Sequence, residues 1–262
     1  MNCSFCHGTK RAPRFMSYDE FRQVCDSLVG VTEYIYFHIL GEPTMHPDLP
    51  LFLDYAISLG FKTAITTNGT LLDKVGKSLI EHSVYKVNVS LHSFEGENKQ
   101  DADKYLTSVL DFADKASTSG TLTILRLWNR GFDGGRNKRI LDKISARFGG
   151  FAKTSERGVR VRDKLHIEYG DRFEWPSSER EELGSRVFCH GMGDHFGILS
   201  DGTVVPCCLD AEGDIPLGNI FKDKLADCIG SERALKIKEG FKNKRAVEDL
   251  CKKCPYARRF KV

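Results

Sequence analysis

The most restrictive feature of this sequence is a regular alternation of strand-like and helix-like segments between residues 17 and 170. Short β-branched or aromatic runs predict strands, and longer segments with a 3.6-residue apolar period predict helices. The predicted strands cover 34–40, 62–67, 85–91, 122–128 and 164–169, and the predicted helices lie near 17–29, 49–60, 70–82, 102–118 and 137–148. This alternation is typical of an α/β fold with a parallel sheet, either open or barrel-like.

Residues at the predicted helix ends agree with these limits. Ser17 precedes Asp19 and Glu20, which predicts an N-cap followed by acidic residues in the first turn. Gly60 follows the second helical segment and predicts a glycine-terminated helix.

The C-terminal part of the chain has a different pattern. Residues 196–207 predict a β-hairpin that turns at Asp201-Gly202, and residues 231–240 predict a helix. Residues 171–188 have the composition of a linker. We therefore expect a small second domain after the alternating region.

Composition excludes several classes of protein. With 40% hydrophobic and 29% charged residues, the chain has the composition of an ordinary globular protein. No apolar run approaches 18 residues, so no transmembrane helix and no membrane partner are predicted. The net charge of +3, from 39 basic and 36 acidic residues, is too balanced to indicate nucleic acid as a partner.

The chain holds nine cysteines: two among the first six residues, six after residue 188, and Cys25. The first residues contain no apolar signal region, so a reducing, cytoplasmic location is expected. In that setting thiols bind metals or take part in chemistry. Cys25 lies in the first predicted helix, and both Cys25 and Cys228 are expected to be buried helix residues. Cys3 and Cys6 form a C-x-x-C motif that, alone, fits half a zinc knuckle or a redox dithiol. A thioredoxin-like dithiol is disfavoured because no strand precedes the motif.

Polar residues recur where each predicted strand ends. They are Gly41-Glu42-Pro43 after the first strand, Thr66 to Thr70 after the second, Ser90 in the third and Arg126 in the fourth. Parallel α/β barrels build their sites at this end of their strands. The stretch from Thr66 to Thr70 fits a turn that caps the next helix as well as it fits a ligand site.

In combination these motifs resemble the radical S-adenosylmethionine (SAM) superfamily, whose members carry C-x-x-x-C-x-x-C and a later Gly-Gly-Glu-Pro-type motif. Cys3, Phe5 and Cys6 match the last two cluster ligands and the aromatic residue between them. Leu40-Gly41-Glu42-Pro43 matches the second motif, with leucine in place of the first glycine. The resemblance implies a partial (β/α)6 TIM-like barrel that lacks its first strand here, followed by a small cysteine-rich domain of a hairpin plus helix.

The resemblance also implies cofactors and their contacts. Cys3 and Cys6 would ligate a [4Fe–4S] cluster whose open iron binds SAM. Gly41, Glu42 and Pro43 would meet the SAM ammonium, and Phe5 would contact the adenine. Ser90, Arg126 and Asn68 would bind the carboxylate or add hydrogen bonds.

The sequence departs from the family pattern in one respect. The first cluster cysteine is expected four residues before Cys3, a position two residues upstream of Met1. The simplest hypothesis is that Met1 is an internal methionine, and the alternative is a relative that has lost its cluster.

The remaining cysteines predict a second metal site. Cys189, Cys207, Cys251 and Cys254 fit a tetrathiolate site, for which spacing alone does not separate zinc from an iron–sulfur cluster. Behind a radical SAM barrel, their order resembles the SPASM/twitch extension, which implies an auxiliary [4Fe–4S] cluster. Cys208 is the alternative to Cys207, and Asp210 and Asp214 are more typical of turn-forming carboxylates than of general bases.

We therefore predict a barrel at 1–175, a linker at 176–188 and an auxiliary cluster domain at 189–262. The expected reaction is hydrogen-atom abstraction by a 5′-deoxyadenosyl radical, from a peptide or protein by analogy, otherwise from a small molecule. The electron donor would be a flavodoxin or ferredoxin. The alternatives are a non-catalytic protein with zinc at the C-terminal cysteines, and an electron-transfer or scaffold protein with the auxiliary cluster alone.

Overall fold

The structure is a computed structural model that describes residues 8–94, 99–151, 155 and 157–260. Backbone contacts divide them into two units, one of residues 32–172 and one that combines residues 8–31 with residues 173–260. The limits 1–175, 176–188 and 189–262 stay a prediction, and residues 8–31 group by contact with the C-terminal part of the chain.

The first unit contains an α/β sheet with its helices. Its elements in chain order are β1 (Tyr34–Phe37), α2 (Leu49–Ser58), β2 (Lys62–Thr67), α3 (Leu72–Glu81), β3 (Lys86–Ser90), α4 (Lys99–Thr118), β4 (Leu122–Arg130), α5 (Arg136–Phe148), β5 (Gly158–Arg162) and β6 (Leu165–Asp171); α1 (Tyr18–Leu28) belongs to the second unit. Short 3₁₀ turns at Pro43–Met45 and Leu91–Ser93 follow β1 and β3.

The six strands form one sheet in the order β1-β2-β3-β4-β6-β5. All neighbouring pairs are parallel except β5 and β6, which form an antiparallel hairpin. The predicted α/β class with a parallel sheet is confirmed. Strand β5 is not among the predicted strands, because its charged Arg160 and Arg162 mask the strand pattern. The chain turns between β5 and β6 at Lys164, whose φ is 57°.

The core of this unit lies on one face of the sheet. Leu53 of α2, Leu79 of α3 and Ile144 of α5 are buried against strand residues that include Ile65 and Leu125. Because side chains alternate along a strand, these odd-numbered strand residues turn their even-numbered neighbours to the opposite face. The even-numbered face therefore carries the polar residues Lys86, Asn88 and Ser90 of β3, Arg126 of β4, and His166 and Glu168 of β6.

The second unit contains α1 and a small three-stranded sheet. Its elements after residue 172 are β7 (Gly197–Ile198), β8 (Thr203–Val205), β9 (Gly218–Asn219), α6 (Leu225–Ile229), α7 (Glu232–Lys242) and α8 (Asp249–Lys252). Strands β7 and β8 form the predicted hairpin at Asp201-Gly202, and α7 confirms the predicted C-terminal helix. Gly202 has φ 83°, and a Cβ there would lie 2.5 Å from the Phe221 ring, so the turn needs glycine.

The predicted helix ends are confirmed in detail. The Ser17 hydroxyl accepts the N–H of Glu20, and the Glu20 carboxylate accepts the N–H of Ser17 in return. The two residues form a capping box at the start of α1. Gly60, with φ 87°, follows α2, and its N–H donates to the Ile57 carbonyl.

Two cysteines are core residues, as predicted. Cys25 in α1 is 0% exposed and Cys228 in α6 is 2% exposed. Burial raises the pKa of the Cys25 thiol to about 12, so this sulfur stays protonated at neutral pH. Among the described helices, none combines the length and the apolar character needed to cross a bilayer.

Candidate functional site

The segment after β1 is joined to the segment after β2 by the carboxylate of Glu42. One oxygen of Glu42 accepts from the N–H and the hydroxyl of Thr44, at 3.1 and 2.6 Å. The other oxygen accepts the backbone N–H of Asn68 at 2.7 Å. These bonds close the turn at Pro43–Met45, and they leave acceptor capacity on the carboxylate, which has about four lone-pair sites.

Asn68 lies in a turn in which its backbone and its side chain both form hydrogen bonds. Its side-chain oxygen accepts from the N–H and the hydroxyl of Thr70, at 2.9 and 2.6 Å, and its carbonyl accepts the Tyr105 hydroxyl at 2.8 Å. The next residue, Gly69, has φ 79°, and a Cβ there would lie 2.9 Å from Val89. Asn68 therefore acts as a turn residue in this structure, as in the alternative interpretation of this stretch.

Three polar residues line up across neighbouring strands. Ser90 of β3 is in register with Arg126 of β4, and Arg126 is in register with Glu168 of β6. Arg126 Nε lies 3.4 Å from Glu168 Oε2, and its guanidinium carbon lies 4.5 Å from the centre of the Trp128 ring. The ion pair and the ring contact hold the half-buried guanidinium at the polar face of the sheet.

Glu168 was not predicted as the ion-pair partner of Arg126. Both residues lie in predicted strands, and the rarity of buried arginine without a partner signalled that a partner was needed. Choosing among the carboxylates required the register of β4 with β6, which local sequence does not contain.

His92 is fixed beside the same strand. Its Nδ1 lies 3.1 Å from the Arg126 carbonyl oxygen and 3.3 Å from the Trp128 nitrogen. Burial lowers the pKa of this imidazole against the opposite effect of its bond to the Arg126 carbonyl, and the Arg126 charge adds to the lowering, so the neutral form is favoured. His92 thereby fixes the backbone that presents Arg126.

The five C-terminal cysteines outside the core helices lie near one another. Burial raises the pKa of Cys207 well above its ordinary value, and charge on Cys208, Cys251 and Cys189 raises it further. The pKa of Cys251 is raised by burial and then by charge on Cys189 and Cys254. Deprotonating any one thiol therefore makes the others harder to deprotonate, until a cation compensates the charge.

Backbone N–H groups point at several of these sulfurs. The N–H of Gly191 donates to Cys189 Sγ at 3.4 Å. Burial raises the pKa of Cys254, and backbone hydrogen bonds from Ala257 and Tyr256 partly offset that rise. Such bonds stabilise thiolates and set the potential of iron–sulfur clusters.

Glycine at position 191 leaves space beside two of the sulfur-bearing residues. A Cβ there would lie 3.2 Å from the Pro206 oxygen, 3.4 Å from Cys207 Cβ and 3.6 Å from Cys189 Sγ. Within the described residues, no three His, Cys, Asp or Glu side chains converge on the position of a single metal ion. The thiols, their N–H donors and the space at Gly191 suit a thiolate-bound group.

The N-terminal motif Cys3, Phe5 and Cys6 lies outside the described residues. The segment that follows it is held within the second unit. Arg11 donates to the Glu212 carbonyl at 3.0 Å and forms an ion pair with Asp201 at the β7–β8 turn. In α1, the Gln23 side chain donates to the Ile220 carbonyl at 3.0 Å.

Asp210 is a turn-forming residue. It is 1% exposed, and its carboxylate oxygens accept the N–H groups of Asp214 and Ile215 at 2.8 and 2.9 Å. The carboxylate thus orders the chain after Cys208, as the turn interpretation predicts.

Comparison with known families identifies both parts of the chain. The radical SAM superfamily profile matches residues 1–131, which is half of the chain, and the profile of SPASM, an iron–sulfur cluster-binding domain, matches residues 189–255. Fe-coproporphyrin III synthase from Methanosarcina barkeri is 32% identical over 102 residues, 37% of this chain. The match spans 26% of the length of that relative.

Two solved structures share the fold. BtrN in complex with AdoMet and 2-DOIA has a TM-score of 0.58 at 17% identity, over 96% of this chain and 86% of its own. The protein anSMEcpe with bound AdoMet and Kp18Cys peptide has a TM-score of 0.60 at 15% identity, over 98% and 83%. This chain therefore belongs to the radical SAM superfamily and carries a C-terminal SPASM iron–sulfur cluster-binding domain.

Proposed function

We propose that this protein is a radical SAM enzyme that abstracts a hydrogen atom from its substrate. The observation that carries the proposal is the joint match to the radical SAM and SPASM families. When bound, the [4Fe–4S] cluster supplies the electron that cleaves SAM to methionine and a 5′-deoxyadenosyl radical. The protein's own contribution is to bind and orient the cofactor and to exclude water.

Cys3 and Cys6 would supply two thiolates to that cluster, and the family motif has its further ligand four residues before the first of them. Phe5, between them, would contact the adenine. These roles rest on the motif and its spacing.

The polar residues at the carboxyl ends of the strands would bind SAM. Gly41, Glu42 and Pro43 would take its ammonium, and the bonds from Thr44 and Asn68 hold the Glu42 carboxylate in place. Arg126 would bind the carboxylate through its guanidinium, which Glu168 and Trp128 orient. Ser90 would add a hydrogen bond, while Asn68 would contribute through the turn that it forms.

The second unit would hold an auxiliary [4Fe–4S] cluster. Its ligands would be Cys189, Cys207, Cys251 and Cys254, with Cys208 as the alternative to its neighbour. The buried thiols and their N–H donors support thiolate ligation. The auxiliary cluster would accept an electron from the substrate radical or help to bind the substrate.

The substrate would be a peptide or protein, with a small molecule as the alternative. Support comes by analogy from anSMEcpe, solved with a bound peptide, and from BtrN, solved with 2-DOIA. A flavodoxin or ferredoxin would donate the electron.

The test is formation of 5′-deoxyadenosine by anaerobically reconstituted protein with SAM and dithionite. The chain as printed and the chain preceded by its native upstream residues are assayed side by side, with Cys6→Ala as control. We expect product from the extended chain and little from Cys6→Ala, together with bound iron and absorption near ~400 nm. Colourless protein that holds zinc and makes no product in either form contradicts the proposal.

A further inference from the structure

On the polar face of the sheet, two residues of β3 precede Ser90 and have no part in the proposed SAM site. Side chains alternate along β3, so every second residue projects to the same face, here Lys86, Asn88 and Ser90. The Cα atoms of successive members of this row lie about 7 Å apart. The opposite face holds Val87 and Val89 in the core. Lys86 and Asn88 therefore lie on the same strand and face as the proposed cofactor contact, nearer the start of the strand.

Asn88 is buried with half of its amide unused. Asn88 is 1% exposed, and its Nδ2 donates to the Ile65 carbonyl and the Thr66 hydroxyl, at 3.4 and 3.2 Å. Its Oδ1 is buried and accepts no hydrogen bond in the described part of the chain. A buried acceptor without a donor is destabilising, and a bound molecule with an N–H or O–H group relieves that cost.

Lys86 is a half-buried cation without a carboxylate partner. Its side chain makes no hydrogen bond and no ion pair within the part of the chain that the structure describes. Burial lowers its pKa, and the charge of Arg126 lowers it further, while Glu168 acts in the opposite direction. Since Glu168 pairs with Arg126, Lys86 is left as the excess positive charge of this group.

Strand β6, which lies beyond β4 in the sheet, carries a histidine at the level of Asn88. His166 of β6 is in register with Ile124, which is in turn in register with Asn88. Burial lowers the pKa of His166, and the charges of Arg160 and Lys86 lower it too, against the opposite effect of Asp163. The surroundings of Lys86 and Asn88 thus favour an anion over a cation.

We propose that Lys86 and Asn88 form a substrate-anchoring site for an anionic group, a carboxylate or a phosphate, which carries an adjacent N–H or O–H donor. The Lys86 ammonium pairs with the anion, and Asn88 Oδ1 accepts the adjacent donor. A lysine ammonium binds carboxylates and phosphates as a point charge. The proposal rests on the proposed function, because it places this anchor on the strand whose last residue, Ser90, is proposed to bind SAM.

Binding of matched probes to the protein, without reductant, tests the site. Glycerol 3-phosphate is compared with glycerol, and N-acetyl-aspartyl-N-methylamide with its asparaginyl isostere, by isothermal titration and ligand-observed NMR. We expect at least one anionic probe to bind about tenfold or more tighter than its neutral isostere, as for a hydrogen bond to a charged group. The probe that binds distinguishes a phosphorylated small molecule from an acidic peptide side chain.

Variants assign the effect to these residues. Lys86→Met and Asn88→Asp should each weaken the anionic probe about tenfold or more, since one removes the cation and the other adds a negative charge. Lys86→Arg should restore binding to within about threefold, and Lys138→Met, at an exposed lysine of α5, should leave it unchanged. Melting temperatures verify that each variant folds.

Equal binding of anionic and neutral probes, no binding of either anion, or unchanged binding by Lys86→Met would each overturn the proposal. The 5′-deoxyadenosine assay fails or succeeds separately, because probe binding needs no radical chemistry. Anion binding without SAM cleavage would leave the site in place and reject the proposed enzyme activity.

Discussion

The carboxylate of Glu42 and the backbone N–H of Asn68 are joined by a 2.7 Å hydrogen bond. This bond connects the segments that follow β1 and β2, two neighbouring parallel strands. Glu42 also closes its own turn through Thr44, so a single side chain sets the shape of the strand-end surface. These hydrogen bonds hold together the two segments that the proposed SAM site needs.

Replacement of Glu42 by glutamine should loosen this surface. The amide keeps one acceptor oxygen, so either the Asn68 N–H or the Thr44 N–H and hydroxyl lose their partner. We expect a loss of about 1.5–3 kcal/mol in the free energy of unfolding, the range for a hydrogen bond to a charged group. Asp48→Asn, at a residue that makes no capping bond through its side chain, is the control and should change stability little.

Asp114 should give the first unit a measurable pH dependence. Hydrogen bonds from Arg162, helped by Arg147, lower the pKa of this carboxyl below its ordinary value of 3.8. A lowered folded-state pKa gives stability that is complete above the ordinary value and is lost as the pH falls through the folded-state value.

Asp114→Asn should therefore cost about 1 kcal/mol at pH 7, discounted for solvent screening, and the cost should shrink in acid. Urea unfolding of both proteins between pH 7 and pH 2 measures this difference. Asp111→Asn, which loses only its pair with Arg147, should change stability by less than about 0.5 kcal/mol. A cost for Asp114→Asn that stays constant down to pH 2 would contradict the assignment.

Gly191 should matter for loading of the auxiliary site. An alanine Cβ would lie 3.2 Å from the Pro206 oxygen and within contact of Cys207 and Cys189, so the sulfur-bearing backbone must shift. We expect Gly191→Ala to lower iron and acid-labile sulfide after reconstitution. Gly193→Ala, two residues away with only the His190 oxygen at 3.5 Å, should reconstitute as the wild type does. Equal loading of the two variants would show that the space at Gly191 is dispensable.

Asp210 should contribute to the stability of the second unit. Asp210→Ala leaves the N–H groups of Asp214 and Ile215 without their acceptor, which costs about 1–3 kcal/mol for each group that stays buried. Asp214→Ala keeps the same backbone bond at an exposed position and serves as the matched control. A melting temperature that is equal for the two variants would contradict the structural role of Asp210.

Local signals predicted the elements that depend on neighbouring residues. The Ser17–Glu20 capping box, the glycine after α2 and the hairpin at Asp201-Gly202 each involve residues within a few positions of one another. Their hydrogen bonds and backbone angles are properties of short sequences, so the pattern predicts them correctly.

Local sequence patterns did not predict contacts between residues that lie far apart in the chain. The bond from Gln23 to Ile220 spans 197 positions, and the Arg126–Glu168 pair depends on how β4 pairs with β6. The turn role of Asn68 was one of two open interpretations, because the residues of a polar turn and of a ligand site are the same types. Local sequence therefore does not separate the two interpretations.

The most direct test of the proposed SAM site is the rate of 5′-deoxyadenosine formation by two arginine variants of β4. Arg126→Gln removes the guanidinium that Glu168 and Trp128 orient, while Arg130→Gln removes one that is half exposed and pairs with Asp171. The measurement uses the reconstituted form, as printed or extended, whose wild-type sequence makes product. SAM is kept at a limiting concentration.

We predict that Arg126→Gln lowers the rate about 10- to 100-fold, as expected for a lost charge-assisted hydrogen bond, and that Arg130→Gln stays within about twofold of wild type. SAM cleavage at the wild-type rate by Arg126→Gln would contradict the SAM site proposed at the carboxyl ends of these strands.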